Sequence, residues 1–414
     1  MIRVLHTSDW HLGCGLRDQK RDDEFQRFLN WVLDVIRTKE INVVVISGDI
    51  FDTYSPSNEA RKMYYNFLAS AMAIPTCWNI VVTAGNHDSS TFIDAPADVL
   101  DALKITVVGA ARDPKDEVFS VSSPDGQVRL IVAAVPFLRD ADVRRSISGE
   151  DASQAERAYQ AGVIHHYQSA AQAAEQLRAQ LNPNIPIVAM GHLYTTGCEY
   201  FDGEDRQIVG NLNGVPPETF PASFDYVALG HIHIPQKIAN HDHIRYCGSP
   251  LQLQFNEAHS RKICCIVEFD GRTPSVSEIE VPVFHKLAVV QGELDDIKSA
   301  LKELVKTGTP TYVQVQYTGE NRVSNLSQTV EAITKGTNLN VLSVINKQII
   351  QKYLNASNTE EQDLNELTPE LVFKRLMTLH NVSDENQRCM SVAYGEVINS
   401  IRTGSAISLQ TSKK

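Results

Sequence analysis

The 414-residue sequence predicts an α/β fold of layered sheets, followed by a smaller second domain and a helical tail. Two observations carry this. Short apolar, β-branched runs each stop within a few residues at Gly, Ser or Asp, and the stretches between them carry apolar residues at helical spacing. Around Val281–Phe284 this alternation ends and then restarts on a smaller scale. With 43% hydrophobic residues the chain can bury an extensive core, and it is too long for one average domain.

Five runs read as strands: Ile2–Leu5, Val43–Ile46, Ile80–Thr83, Ile187–Met190 and Tyr226–Leu229. Between them, Asp23–Arg37 places Phe25, Phe28, Leu29, Val32, Leu33 and Ile36 on one helical side, and Asn58–Met72 and Ala152–Gln180 follow the same pattern. After Tyr226 the segments "HIRYCGSPLQLQF" and "KICCIVEFD" read as strands joined by polar turns. From Leu287 to Lys347 the order is strand, helix, strand, helix, strand. The polar stretch "NASNTEEQDLNE" reads as a linker. Thr368 as N-cap and Pro369 at the first helical position then open a helical pair. The expected bounds are 1–283 for the main domain, 284–347 for the second, 348–367 for the linker and 368–403 for the helical pair.

Composition narrows the functional classes. No apolar run is long enough to span a bilayer, and "MIRVLHTSDW" lacks a signal-peptide layout, so a cytoplasmic protein is expected. Seven Cys without a C-x-x-C read as free thiols. The net charge of −12 argues against a free-standing nucleic-acid binder. A role on DNA would need local charge, a bound metal or a partner.

The residues just beyond the five strands carry the chemistry. They are Asp9-Trp10-His11, Gly48-Asp49-Ile50-Phe51-Asp52, Gly85-Asn86-His87-Asp88, Gly191-His192 and Gly230-His231-Ile232-His233. Ligands of α/β sheets gather at the carboxyl ends of strands, so these sets can converge in one crevice. Asp, His and Asn without Cys suit hard or borderline cations such as Mn²⁺, Fe²⁺ or Zn²⁺. A pair of divalent ions fits the number of donors, with Asp49 as the natural bridge. A single His after a strand is ordinarily structural; five such sets in order point to a site.

The succession D-x-H, G-D-x-x-D, G-N-H-D, G-H and G-H-x-H resembles the calcineurin-like metallophosphoesterases. Within them, "HTSDWHLG", "SGDIFDTYSPS", "YCGSPLQLQF" and the tail "LTPELVFKRL" resemble the SbcD family of bacterial nuclease subunits. The resemblance implies a four-layer sandwich of two packed mixed sheets flanked by helices, a small α+β capping domain and a C-terminal helical pair. It implies that Asp9, His11 and His233 hold one ion and Asn86, His192 and His231 the second, with Asp49 shared. His87 would stand beside the scissile phosphate as the catalytic group rather than a ligand. The implied activity is Mn²⁺-dependent cleavage of DNA: a 3′–5′ exonuclease on duplex ends and an endonuclease on single strands and hairpins. The implied partners are an SbcC-type coiled-coil ATPase, docked through the C-terminal helices, and a second copy in a homodimer. A phosphatase or cyclic-nucleotide phosphodiesterase is the rival reading, but Thr53 and Tyr54 follow Asp52, and Asp88 ends the third motif, against the phosphatase pattern.

Other features stay open between two readings. Asp88 either orients His87 or shapes the turn, and the role of Asp52 is unsettled. Met63, Tyr64, Phe67 and Leu68 form either a dimer face or a core-facing side. Arg17, Lys20 and Arg21 either meet a phosphate backbone or belong to a solvated helix start. His165, His166, His241 and His243 are expected at solvent.

Overall fold

The computed structural model describes residues 1–145, 149–201, 214–319, 323, 325–346, 377, 390 and 394. Residues 1–346 form one compact unit. In chain order, its first sheet receives β1 (Ile2–Thr7), β2 (Val43–Ser47), β3 (Asn79–Thr83) and β4 (Ile105–Val108). A second sheet follows from β5 (Val118–Ser122), β6 (Val128–Ala134), β7 (Ile187–His192), β8 (Tyr226–Gly230), β9 (Gln236–Ile238) and β10 (His241–Tyr246). The chain then returns to the first sheet with β11 (Ile263–Asp270) and β12 (Thr273–Glu280). The sheet orders are β12-β11-β1-β2-β3-β4 and β5-β6-β7-β8-β10-β9. The helices are α1 (Asp22–Thr38), α2 (Asn58–Met72), the short α3 (Ser90–Asp94), α4 (Ala97–Ala102) and α5 (Asp140–Val143), and the long α6 (Ala152–Leu181).

Alternation within the strands explains the layers. Val43 and Val45 of β2 face a buried layer shared with Val132, Val188, Met190 and Ala228 of the second sheet. Val44 and Ile46 face the other way, into a core with Phe25, Phe28, Phe67 and Leu68 of α1 and α2. On the far side, Ile131, Ile187 and Ala189 pack under Tyr159, Val163 and Tyr167 of α6. Both faces of the central strands are covered, so their sequences read as continuous apolar runs rather than alternating ones. The result is helix, sheet, sheet, helix. Met63, Tyr64, Phe67 and Leu68 all turn into this core, which settles them as core-facing.

Two differences from the sequence reading concern the second sheet. The β5–β6 hairpin, "VFSVSSPDGQVRLIVAA", supplies strands beyond the five expected. The run "GSPLQLQF" is not a strand; Gly248 takes a φ of +77° and the chain leaves β10 as a loop. Arg21 is a third correction. It is 2% exposed, pairs with Glu24 at 2.7 Å and donates to the Gln252 carbonyl, so it is no phosphate contact. His166 is a fourth, buried in α6 with its Nε2 2.7 Å from Glu117.

The remaining part of the unit is β13 (Lys286–Gly292), α7 (Leu294–Lys306), β14 (Thr311–Tyr317), α8 (Leu326–Thr334) and β15 (Leu339–Asn346). Its strands pair in parallel in the order β13-β14-β15, an α/β layout where α+β was expected. It has its own core around Ile297, Leu301, Val313 and Val330. Leu16 and Phe255 meet Leu287 and Tyr312 where it joins the main body. The second compact unit, Lys347–Lys414, is described only at Met377, Met390 and Tyr394, all helical. The linker and most of the helical pair therefore lie outside the described residues. Among the described residues no helix is long and apolar enough to cross a membrane.

Candidate metal centre

Strands β1, β2 and β3 run parallel in one sheet, and β6, β7 and β8 run parallel in the other. Their carboxyl ends open on one edge of the sandwich, and the polar residues beyond them meet there. The loops after β1 and β2 continue the ladder, with Asp9 N–H donating to the Gly48 carbonyl and His11 N–H to the Asp49 carbonyl. Asp9, His11, Asp49 and His231 all adopt positive φ, at 52°, 47°, 50° and 98°. Such backbone costs an L-residue roughly 1–2 kcal/mol and persists where the surroundings enforce it. Two glycines make room. At Gly48, with φ +81°, a Cβ would fall on His192 Nδ1, and at Gly85 it would fall on the Asp49 carboxylate.

All eight residues singled out from the sequence come together. Asp9, His11 and His233 bring donor atoms within 4.8 Å of one another, and Asp49, His192 and His231 form a second such group. Asn86 completes the second: its Oδ1 lies 3.0 Å from His192 Nε2 and 2.9 Å from His231 Nδ1. Asp49 stands between the groups, with Oδ2 3.5 Å from His11 Nε2 and 3.3 Å from His192 Nε2. Its other oxygen accepts the His87 N–H at 2.8 Å. Asp9 accepts from the His231 N–H at 2.9 Å and from the Ser8 hydroxyl.

The electrostatics suit cations. Burial opposes ionisation of Asp49, but His192 and His11 hold its carboxyl far below the usual range. Burial alone would lower His11 and His192; the facing carboxylates overrule it and push both up to about 9. Burial, with His192 beside it, takes His231 down to about 3. Both ring nitrogens of His11 are buried without a hydrogen-bond partner. A buried, orphaned imidazole among carboxylates fits a cation site, because an unpaired buried polar group is costly otherwise. The setting of His192 fits the same kind of site. Its Nδ1 lies 2.9 Å from the Ser47 carbonyl, which can only accept, so Nδ1 carries a proton and Nε2 is left to coordinate.

Asp88 is resolved between its two readings. It is fully buried and accepts from Gly85 N–H at 2.8 Å, Phe51 N–H at 3.0 Å and Ile50 N–H at 3.1 Å. It ties the second and third motifs together. It also rises to about 6, through burial and the neighbouring Asp49 charge.

A model of the calcineurin-like phosphoesterase family matches residues 2–235. A second model, described as the type 5 capsule protein repressor C-terminal domain, matches 283–381. The chain is 33% identical over 390 residues to the SbcD subunit of the SbcCD nuclease of Escherichia coli strain K12, covering 94% of this chain and 95% of that one. The chain belongs to the SbcD family of calcineurin-like phosphoesterases. The SbcD subunit from Rhodobacter capsulatus is 28% identical across 90% of this chain and 93% of its own. The one from Bacillus subtilis is 31% identical across 64% and 66%. Membership makes the chain a metal-dependent hydrolase.

Against this family background, Asp52, whose role the sequence left open, finds its contacts, and two further residues near the centre, Phe137 and Glu257, were not legible as site residues. Asp52 faces His11 with its carboxylate, 3.6 Å from Nδ1, and its backbone carbonyl lies 2.9 Å from His87 Nδ1. That carbonyl can only accept, so His87 carries a proton on Nδ1 and presents Nε2 to the crevice. Phe137, after β6, sets its ring 6.3 Å from the His192 ring. Glu257 lies 3.6 Å from His233 Nδ1. A buried carboxylate beside a buried histidine becomes visible only when distant segments fold together.

Proposed function

We propose that this chain is the nuclease component of an SbcCD-type complex and hydrolyses DNA phosphodiesters with two divalent ions, Mn²⁺ in this reading. The observation that carries it is the pair of donor groups sharing Asp49, with His87 at their edge. Asp9, His11 and His233 would hold one ion and Asn86, His192 and His231 the other. Bound there, the ions would supply Lewis acidity toward water and would neutralise phosphodiester charge, which the acidic chain cannot do alone. As an imidazolium, His87 would donate a hydrogen bond or a proton from Nε2 to the reacting phosphate, while the Asp52 carbonyl fixes the ring through Nδ1–H. The relatives are named as nuclease subunits, which supports DNA as substrate.

The proposal extends to finer activities: 3′–5′ exonuclease on duplex ends, and endonuclease on single strands and hairpins. It also includes a cytoplasmic location, an SbcC-type ATPase partner, supported by the relatives' names as SbcCD subunits, and a homodimer within the complex. In this reading residues 1–283 are the nuclease domain, 284–347 the cap, 348–367 the linker and 368–403 the docking helices. Incubation with end-labelled duplex and hairpin DNA in Mn²⁺, Mg²⁺ or chelator tests the proposal, with a chromogenic phosphomonoester alongside. Cleavage of DNA in Mn²⁺ and none in chelator is expected. Fast turnover of the monoester with intact DNA would favour a phosphatase instead.

A further inference from the structure

The loop after β10 closes beneath His233. There Glu257 is 1% exposed and Lys262 5% exposed, a charged pair inside the protein. Lys262 Nζ donates to Glu257 Oε2 at 2.5 Å and to Ser249 Oγ at 2.7 Å. It also donates to the backbone carbonyl of His233 at 3.3 Å. The second carboxylate oxygen of Glu257 faces His233 Nδ1 at 3.6 Å. Gly248 completes the seat; a Cβ there would come within 2.6 Å of the His233 carbonyl oxygen.

A buried ion pair is a poor source of stability, because desolvating two charges offsets most of their attraction. This one has another evident use: both of its members converge on a single residue. We infer that Glu257 and Lys262 are a positioning pair for His233. Lys262 fixes the backbone of the residue, and Glu257 turns Nδ1 toward itself. Nε2 is then the nitrogen left for the ion shared with Asp9 and His11. The separation of 3.6 Å is longer than a formed hydrogen bond, so the attraction is electrostatic as it stands. Because Lys262 balances Glu257, the pair orients the ring without adding net charge to the centre. The inference rests on the reading that Asp9, His11 and His233 bind a divalent ion.

The test is Mn²⁺ binding to the full chain by calorimetry, with thermal unfolding of the metal-free protein in parallel. The wild type should bind two ions. Glu257→Gln should weaken one of them about ten- to a hundredfold, the usual effect of losing an outer-shell carboxylate, and leave the other unchanged. Lys262→Met leaves an uncompensated buried carboxylate and should unfold earlier. The double variant Glu257→Gln/Lys262→Met removes both charges; it should recover thermal stability but not the lost affinity. Recovery of both, or wild-type affinity in Glu257→Gln, would make the pair merely structural and overturn the inference. His233→Ala is the control for the underlying reading. If it still binds two ions tightly, the ion assignment fails, whereas loss in His233→Ala with none in Glu257→Gln sinks the positioning role alone.

Discussion

At the scale of single residues, the centre is a set of protons waiting to be displaced. His11 and His192 are held at about 9 in the metal-free protein, above the ordinary 6.5. Their contribution to stability is therefore present below pH 6.5 and lost as pH rises through about 9. Each ion must displace the proton of its own histidine, so Mn²⁺ affinity at each site should climb across that window, by up to about tenfold per pH unit. Calorimetry at two pH values, in buffers of different ionisation enthalpy, counts them; affinity independent of pH would contradict the assignment. Asp88→Ala leaves three buried N–H groups without their acceptor and should cost about 2–4 kcal/mol in chemical denaturation. A loss of cleavage at unchanged stability would instead give Asp88 a chemical role.

At the scale of elements, strand ends explain both what was legible and what was not. The five site-bearing strands declared themselves because each is buried on both faces and stops at a residue that permits a sharp turn. Gly48→Ala tests how tightly those turns are built. It forces a side chain onto His192 at a φ of +81°, and both the melting temperature and the ion count should fall. A tolerated Gly48→Ala, with two ions bound, would show that the turn has slack. The β5–β6 hairpin was missed although Asp125-Gly126 between two apolar runs is a strong turn signal. Arg21, His166, Glu257 and Lys262 were beyond reach for a different reason. A charged residue in sequence reads as exposed, and only the folded chain shows which partner lets it be buried.

At the scale of the whole molecule, the sandwich brings motifs spread from Asp9 to His233 to one edge, and the family motifs mark that edge in advance. The tail is the complementary case. Deleting Thr368–Lys414 should abolish co-purification with an SbcC-type ATPase and spare intrinsic cleavage; retained co-purification would refute docking through this segment. The central claim is that a two-ion centre cleaves DNA with His87 acting on the phosphate. The most direct test is Mn²⁺-dependent cleavage of end-labelled duplex DNA by wild type and His87→Ala, with bound Mn²⁺ counted in both. The account predicts two ions in each protein and a loss of about a hundredfold or more in the variant's rate. Undiminished cleavage by His87→Ala with both ions bound would contradict it.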